Sequence, residues 1–546
     1  MQSDVIIIGA GLAGLVAAHE LVERGKTVTI LDQEGRQNLG GQAFWSLGGL
    51  CMIDTPEQRR MRVRDSQALA TNDWMGSAQF DRVEDHWPRE WANAYLDFAA
   101  GEMRPWLHGL GMRWFPVVGW AERGGSFANG HGNSVPRFHI TWGTGPGVLK
   151  PFEDRALAAE NSKKLTFGFR HRVTGFDISN GKIAGVSGDI LAPDDASRGA
   201  ATNRDIIDSF DIKADQVIIT SGGIGGNFDL VRRNWDTSKS GPLPEKMVSG
   251  VPEHVDGLLL DIVQSTGAEL INTDRMWHYT EGVQNWDPIW PKHGIRILPG
   301  PSSMWFDATG DRLPAPCMPG FDTMSTLHEI CKRGYDHTWF VLTQKIIEKE
   351  FALSGSEQNP DLTGGKWGGV LQERLGKGAT TAVEAFKEKG VDFIVADDFE
   401  TLVSGMNDLG GNLIDPAKLR TQIEARDAQI DNPFTKDAQI TAIHAARNYL
   451  GDKLIRTAKP HKILDPAKGP LIAVKLHVVT RKTLGGIHTD LDGRVFAPGG
   501  QTIDGLFAAG EAAGFGGGGY HGNNALEGTF LGGCIHSGRR AGRAAG

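Results

Sequence analysis

Only four cysteines occur in 546 residues, at Cys51, Cys317, Cys331 and Cys534. They are widely scattered, with no C-x-x-C pair and no zinc-ligand spacing, so a disulfide framework and a metal site are excluded and a reducing compartment is expected. The haem-attachment pattern C-x-x-C-H is also missing, so any electron acceptor or donor besides a bound cofactor must be external to the chain. No apolar run approaches the length needed to cross a bilayer, and no basic leader precedes the first apolar residues. These absences predict a cytoplasmic protein with no membrane span. Positive charge is short as well: 57 Lys and Arg stand against 66 Asp and Glu, a net charge of -9, with no long basic run. Nucleic acid is therefore excluded as a partner. No segment specifies an oligomeric state. Tyrosine is scarce too, with five in the chain.

What is abundant is glycine, in two distant places. Residues 4–32, DVIIIGAGLAGLVAAHELVERGKTVTILD, hold an apolar run, glycines at Gly9, Gly11 and Gly14, a helix-like tract, a second apolar run and an acid at Asp32. Gly9 suits the tight turn after a strand, Gly11 lets the backbone approach a pyrophosphate, and Gly14 lets the helix pack on the sheet. The helix N-terminus, including Leu12 and Ala13, offers N–H groups and a positive dipole end to phosphates. Asp32, followed by Gln33, is placed to bind a ribose hydroxyl. The second place is residues 504–533, DGLFAAGEAAGFGGGGYHGNNALEGTFLGG.

Between them, the loop after Asp32 carries the pairs Gly40-Gly41 and Gly48-Gly49, with Gln42, Ser46 and Leu47 between. Paired glycines expose backbone N–H groups to a close ligand. Residues 74–120, rich in tryptophan, read as amphipathic helices packing on the sheet. Residues 165–220 read as antiparallel strands, including Val173, broken by a polar insertion expected to be an exposed loop. A return strand then enters a second glycine turn, Ser221, Gly222 and Gly223, ending at Asn227. From residue 272 the texture changes to Trp, Pro and His, then to polar helices, and strand patterning resumes near residue 472. The fold class predicted is α/β: a Rossmann-like dinucleotide domain of parallel sheet plus antiparallel strands, residues 1–271 and 472–546, with an inserted α+β capping domain, residues 272–471.

The ordered set GAGLAG at 9–14, GGQAFWSLGG at 40–49, TSGGIGGN at 220–227, TLGGIHTD at 483–490 and DGLFAAGE at 504–511 resembles the fumarate reductase, succinate dehydrogenase and 3-ketosteroid dehydrogenase flavoprotein superfamily. The resemblance covers most of the chain. It implies FAD and a mobile cap closing over the isoalloxazine. By the same likeness Gly510 and Glu511 would meet the ribityl chain, and Asn524, Ala525 and Leu526 the pyrimidine end. The respiratory members attach FAD through a histidine in the loop 38–49, and none stands there in this chain, so non-covalent FAD is expected.

Two departures bear on the substrate. The reductases carry a proton-donating arginine after the GDRL at 310–313, where this chain reads PAPCMPGFD, and an arginine after the final HGxN, where it has Ala525. Without these cations a dicarboxylate dianion would be badly compensated in a desolvated pocket. Arg481 and Lys482 replace a histidine pair and leave a cation to polarise a carbonyl. Chemistry at a C–C bond beside a carbonyl also needs a group that exchanges the α proton and a donor for the enolate. The candidates are Tyr520 and His521 in the glycine loop, and His278 and Tyr279 at the opening of the cap. The predicted function is an FAD-dependent oxidoreductase acting on a CH–CH bond next to a carbonyl in an apolar, ketosteroid-like small molecule. The alternatives are a reductase of small unsaturated acids clamped by Arg481 or Lys482, and a flavin-binding protein without turnover.

Overall fold

The computed structural model describes residues 3–124 and 132–546. The apolar run at the N-terminus forms strand β1 (Val5–Ile8), buried throughout, and the glycine turn leads into helix α1 (Leu12–Glu23) and strand β2 (Val28–Asp32). A Cβ on Gly14 would lie 2.2 Å from the Gly9 carbonyl oxygen, so only glycine lets α1 sit this close to the turn. Four further strands follow: β3 (Leu165–Phe169), β4 (His171–Ser179), β5 (Lys182–Leu191) and β6 (Ile206–Lys213). The return strand β7 (Val217–Ile219) pairs parallel with β1.

The second sheet is entered through β8 (Met276–Gln284) and β9 (Gly294–Leu298), and the chain returns along β10 (Leu471–Thr483) before β11 (Thr502–Ala508) and the terminal helix α2 (Thr529–Ala545). The first sheet runs β3-β2-β1-β7-β11-β5-β4, with parallel pairing from β3 to β11 and antiparallel pairing between β5 and its neighbours β4 and β6. Helix α2 lies on α1 backbone to backbone: Cβ atoms on Gly538 and Gly542 would lie 2.4 and 2.6 Å from the carbonyls of Ala13 and Ala17. The two ends of the sequence thus form one wall.

The second sheet centres on β10, which pairs antiparallel with β8 and with Thr338–Thr343. Two apolar cores meet along this strand. Leu471, Ile472, Ala473, Val474 and Leu476 belong to the core of the inserted region and Val478 and Val479 to the core of the first sheet. The polar insertion between β5 and β6 is less free than the exposed loop expected from its composition. Arg198 donates to the Leu39 carbonyl at 2.7 Å and Gly199 N–H to Asn38 Oδ1 at 2.9 Å, which seats the insertion on the loop that follows β2.

Candidate active site

A cavity of about 530 Å³ opens at the carboxyl ends of β1, β2 and β7 and continues under the inserted region. At its first end Gly9 has φ +107°, and a Cβ there would lie 2.5 Å from the Thr220 carbonyl oxygen. Around Gly11, by contrast, a Cβ would meet nothing within 4 Å: its backbone faces open cavity. Gly40 bridges to Gly11, and Gly41, with Leu12 and Ala13, completes this wall. Asp32 accepts the N–H groups of Ala10 (2.7 Å) and Glu34 (2.8 Å), yet its enclosed position pushes its pKa up to about 6. Gln33 lines the wall beside it, donating to Asp256, and Val173 closes the far side. Two buried polar atoms on this lining, Ser221 Oγ and His254 Nε2, have no hydrogen-bond partner among the described residues. A glycine cradle open at Gly11 and two orphaned polar groups fit a dinucleotide laid along the cleft.

The middle of the cavity is built from Ser46, Leu47, Gly48, Gly49, Gly222 and Gly510, around one ionic cluster. Glu511 accepts Thr483 N–H at 2.9 Å and Gln42 Nε2 at 2.7 Å and pairs with Lys482 Nζ at 3.2 Å. Lys482 also donates to Gln42 Oε1. Burial lowers the lysine pKa, and the Glu511 carboxylate opposes that shift. A Cβ on Gly223 would lie 2.2 Å from Glu511 Oε1, so this glycine makes room for the carboxylate.

The third part lies between the first sheet and the inserted region. Ala121, Phe138, Leu298, Val479 and Phe530 give it apolar walls, and Tyr279, Arg296, Arg481 and Glu527 supply its polar groups. Arg296, 3% exposed, is held by Glu527 at 2.8 Å, Glu122 at 3.4 Å and Glu281 at 3.5 Å. Its guanidinium carbon stands 3.8 Å from the centre of the Tyr279 ring. Burial pushes the Glu122 and Glu281 carboxyls up, with Arg296 opposing, and it raises the Tyr279 phenol well above its ordinary range, assisted by Glu527. Among the described residues no ion pair or hydrogen bond engages the Arg481 guanidinium.

Strand alternation separates two of the residues singled out by sequence. Tyr279 points from β8 into the cavity, whereas His278 faces the other side. There it stacks on Trp235 with ring centres 5.7 Å apart, and its Nδ1 accepts the Arg481 N–H at 3.2 Å. Tyr520 and His521 are fully buried outside the cavity lining. The Tyr520 hydroxyl donates to the Thr529 carbonyl at 2.5 Å, and His521 stacks on Trp74 and shares a 2.9 Å hydrogen bond with Thr529. Asn227 caps a helix, Phe228–Arg233, rather than lining the cleft. From the C-terminal turn the wall receives Glu527 and Gly528, with Asn524, Ala525 and Leu526 behind them. Arg137 is buried in ion pairs with Asp65 and Asp73. Sequence reasoning missed Arg296, Glu122, Glu281 and Glu527. The available signal was an arginine inside the apolar strand GIRIL.

A dinucleotide cleft at the carboxyl edge of a parallel sheet, continuous with an apolar chamber carrying one phenol, defines a flavin-dependent oxidoreductase. Residues 4–531 match the family model described as FAD binding domain, and the chain belongs to that family, with FAD as its cofactor. It is 60% identical over 531 residues to a KsdD-like steroid dehydrogenase of Mycolicibacterium smegmatis, covering 97% of this chain and 96% of that one. Its fold is similar to 3-ketosteroid Δ1-dehydrogenase from Sterolibacterium denitrificans in complex with 1,4-androstadiene-3,17-dione, with a TM-score of 0.66, 16% identity and coverage of 100% and 99%. It is also similar to 3-ketosteroid Δ4-(5α)-dehydrogenase from Rhodococcus jostii in complex with 4-androstene-3,17-dione, with a TM-score of 0.63, 18% identity and coverage of 100% and 96%. No described helix is long and apolar enough to cross a membrane.

Proposed function

We propose that the protein dehydrogenates a CH–CH bond next to the carbonyl of a ketosteroid-like substrate, with Tyr279 as the acid–base residue. The observation that carries this reading is the composition of the third part of the cavity: apolar walls, a single phenol and one unengaged guanidinium. The name of the M. smegmatis relative points the same way. FAD supplies the hydride acceptor when bound. Apolar walls favour a fused-ring hydrocarbon body, and Arg481 is available to polarise a carbonyl oxygen. Tyr279, close to the cations Arg296 and Arg481, is the group able to exchange the α proton. Arg296 is already surrounded by three carboxylates, so it offers no clamp for a dicarboxylate. Arg481 alone sustains the second reading, reduction of a small unsaturated monoacid.

Residues 1–271 and 472–546 act in this reading as the FAD-binding unit and 272–471 as the cap, which the separate apolar core of the inserted region supports. FAD is held non-covalently, and electrons leave to an external acceptor. The test is anaerobic mixing of the oxidised holoenzyme with a panel of 3-ketosteroids, and of the dithionite-reduced holoenzyme with a panel of unsaturated acids. Steroids should bleach the flavin. Tyr279→Phe should slow bleaching roughly 100-fold or more while leaving FAD bound. Bleaching reversal by unsaturated acids alone, with no steroid response, would reject the steroid reading.

A further inference from the structure

Glu527 belongs to the glycine-rich C-terminal turn and lines the same cavity as Tyr279. Its Oε1 is occupied, accepting Arg296 at 2.8 Å and Trp277 Nε1 at 3.3 Å. Among the described residues no donor reaches Oε2, and Arg296 joins the two side chains, contacting Glu527 Oε1 at 2.8 Å while its guanidinium carbon stands 3.8 Å from the centre of the Tyr279 ring. We propose that Glu527 is the proton acceptor behind Tyr279: the phenol passes the proton taken from the substrate carbon to this carboxylate. The inference rests on the dehydrogenase reading above for its substrate but not for the coupling of the two side chains.

The step balances as follows. The substrate C–H bond α to the carbonyl breaks and its proton forms a new O–H bond on Tyr279. The O–H proton that Tyr279 already carried moves to Glu527, so the tyrosine is neutral before and after. The neighbouring C–H leaves as hydride, taken up by FAD, and the C=C bond forms between the two carbons. A neutral relay answers a physical difficulty, since a buried phenol raised well above its usual range cannot act as a standing phenolate at neutral pH. With a carboxylate behind it, the phenol never has to ionise.

The surrounding charges fit an acceptor. Facing Tyr279 and Glu527 are Arg296 and Glu281 from the cap sheet, Glu122 from the segment after the α-helical region, and Arg481 from β10. When Glu527 becomes neutral, Arg296 still has Glu122 and Glu281 within 3.5 Å, so the guanidinium is not left as an isolated buried cation. Glu527 acts through Tyr279 and is a positioning residue in this sense.

Two measurements on the FAD-loaded protein test it, with Glu527→Gln and, where that variant does not retain flavin, Glu527→Asp. In anaerobic single turnover with a 3-ketosteroid, E527Q should bleach the flavin roughly 100-fold more slowly, with substrate affinity within about threefold of wild type. Its rate should also climb with pH where the wild-type rate is flat, because the phenol then has to ionise. The second measurement needs no substrate. The Tyr279 ionisation, followed at the phenolate absorbance as the difference from Tyr279→Phe, should begin about one pH unit lower in E527Q than in wild type. Coincident titration curves, or an E527Q rate and pH profile equal to wild type, would overturn the relay. A wild-type flavin unmoved by every steroid would reject the substrate reading, and the titration would still decide the relay.

Discussion

Replacing Arg296 by methionine removes the cation that pairs with three buried carboxylates, and the structure sets the size and pH dependence of the damage. Arg296→Met keeps the bulk of the side chain and loses the contacts at 2.8, 3.4 and 3.5 Å to Glu527, Glu122 and Glu281. Breaking a buried ion pair by removing one partner costs about 3–5 kcal/mol. For a unit of roughly 200 residues that corresponds to a fall in melting temperature on the order of 10 °C. The sign of the pH dependence follows from the raised carboxyls. Glu122 and Glu281 bind protons more tightly folded than unfolded. Their destabilising effect is therefore absent below the ordinary carboxylate pKa and grows as pH rises toward the folded values. Without Arg296 those values rise further, each added unit costing about 1.4 kcal/mol at high pH. The deficit of the variant should then be smaller at about pH 5 than at about pH 8. Melting and urea unfolding of FAD-saturated protein at both pH values measure it. A deficit below about 1 kcal/mol, or one equal at the two pH values, would refute the account of Arg296 as the counter-ion of the cluster.

Gly9→Val and Gly11→Val should fail differently. The first drives a side chain into the Thr220 carbonyl and lowers the melting temperature of the apoprotein. The second has space in the apoprotein, so it should melt as wild type yet bind FAD roughly 100-fold more weakly, about 2.8 kcal/mol, by isothermal titration. Tyr520→Phe removes one buried hydrogen bond to Thr529; it should cost about 1 kcal/mol of stability in urea unfolding and leave the rate of flavin bleaching within about threefold of wild type. A larger loss of rate would return Tyr520 to the reaction. Acid precipitation should release yellow FAD into the supernatant and leave a colourless pellet, since no histidine stands in the loop 38–49; a yellow pellet would show a covalent link, with Cys534 on the cavity wall as the first residue to examine.

What could be read from the sequence, and what could not, divides along a physical line. The dinucleotide cleft was legible because its demands are local: Gly9 needs φ +107°, Gly14 needs close helix packing, and both show in six consecutive residues. Strand and helix periodicity likewise announced an α/β fold with an insertion. The charged cluster around Arg296 was not legible, because its parts are joined only by tertiary packing: Arg296 lies 174 residues from Glu122 and 231 from Glu527. The glycine loop before Tyr520 is a different case. In the fold, a Cβ on Gly516 would lie 2.5 Å from the Trp91 ring, and one on Gly517 would lie 2.7 Å from the Trp87 backbone. The loop is glycine-rich because tryptophan-bearing helices press on it, and Tyr520 is turned into that packing, against Trp74 and Tyr95. Glycine density reports that something approaches the backbone without saying whether it is a ligand or a side chain. Tyr279 gave no such signal. It reaches the cavity through strand alternation, and its neighbour His278 is excluded for the same reason, so one residue of register decides which of the pair can meet a substrate.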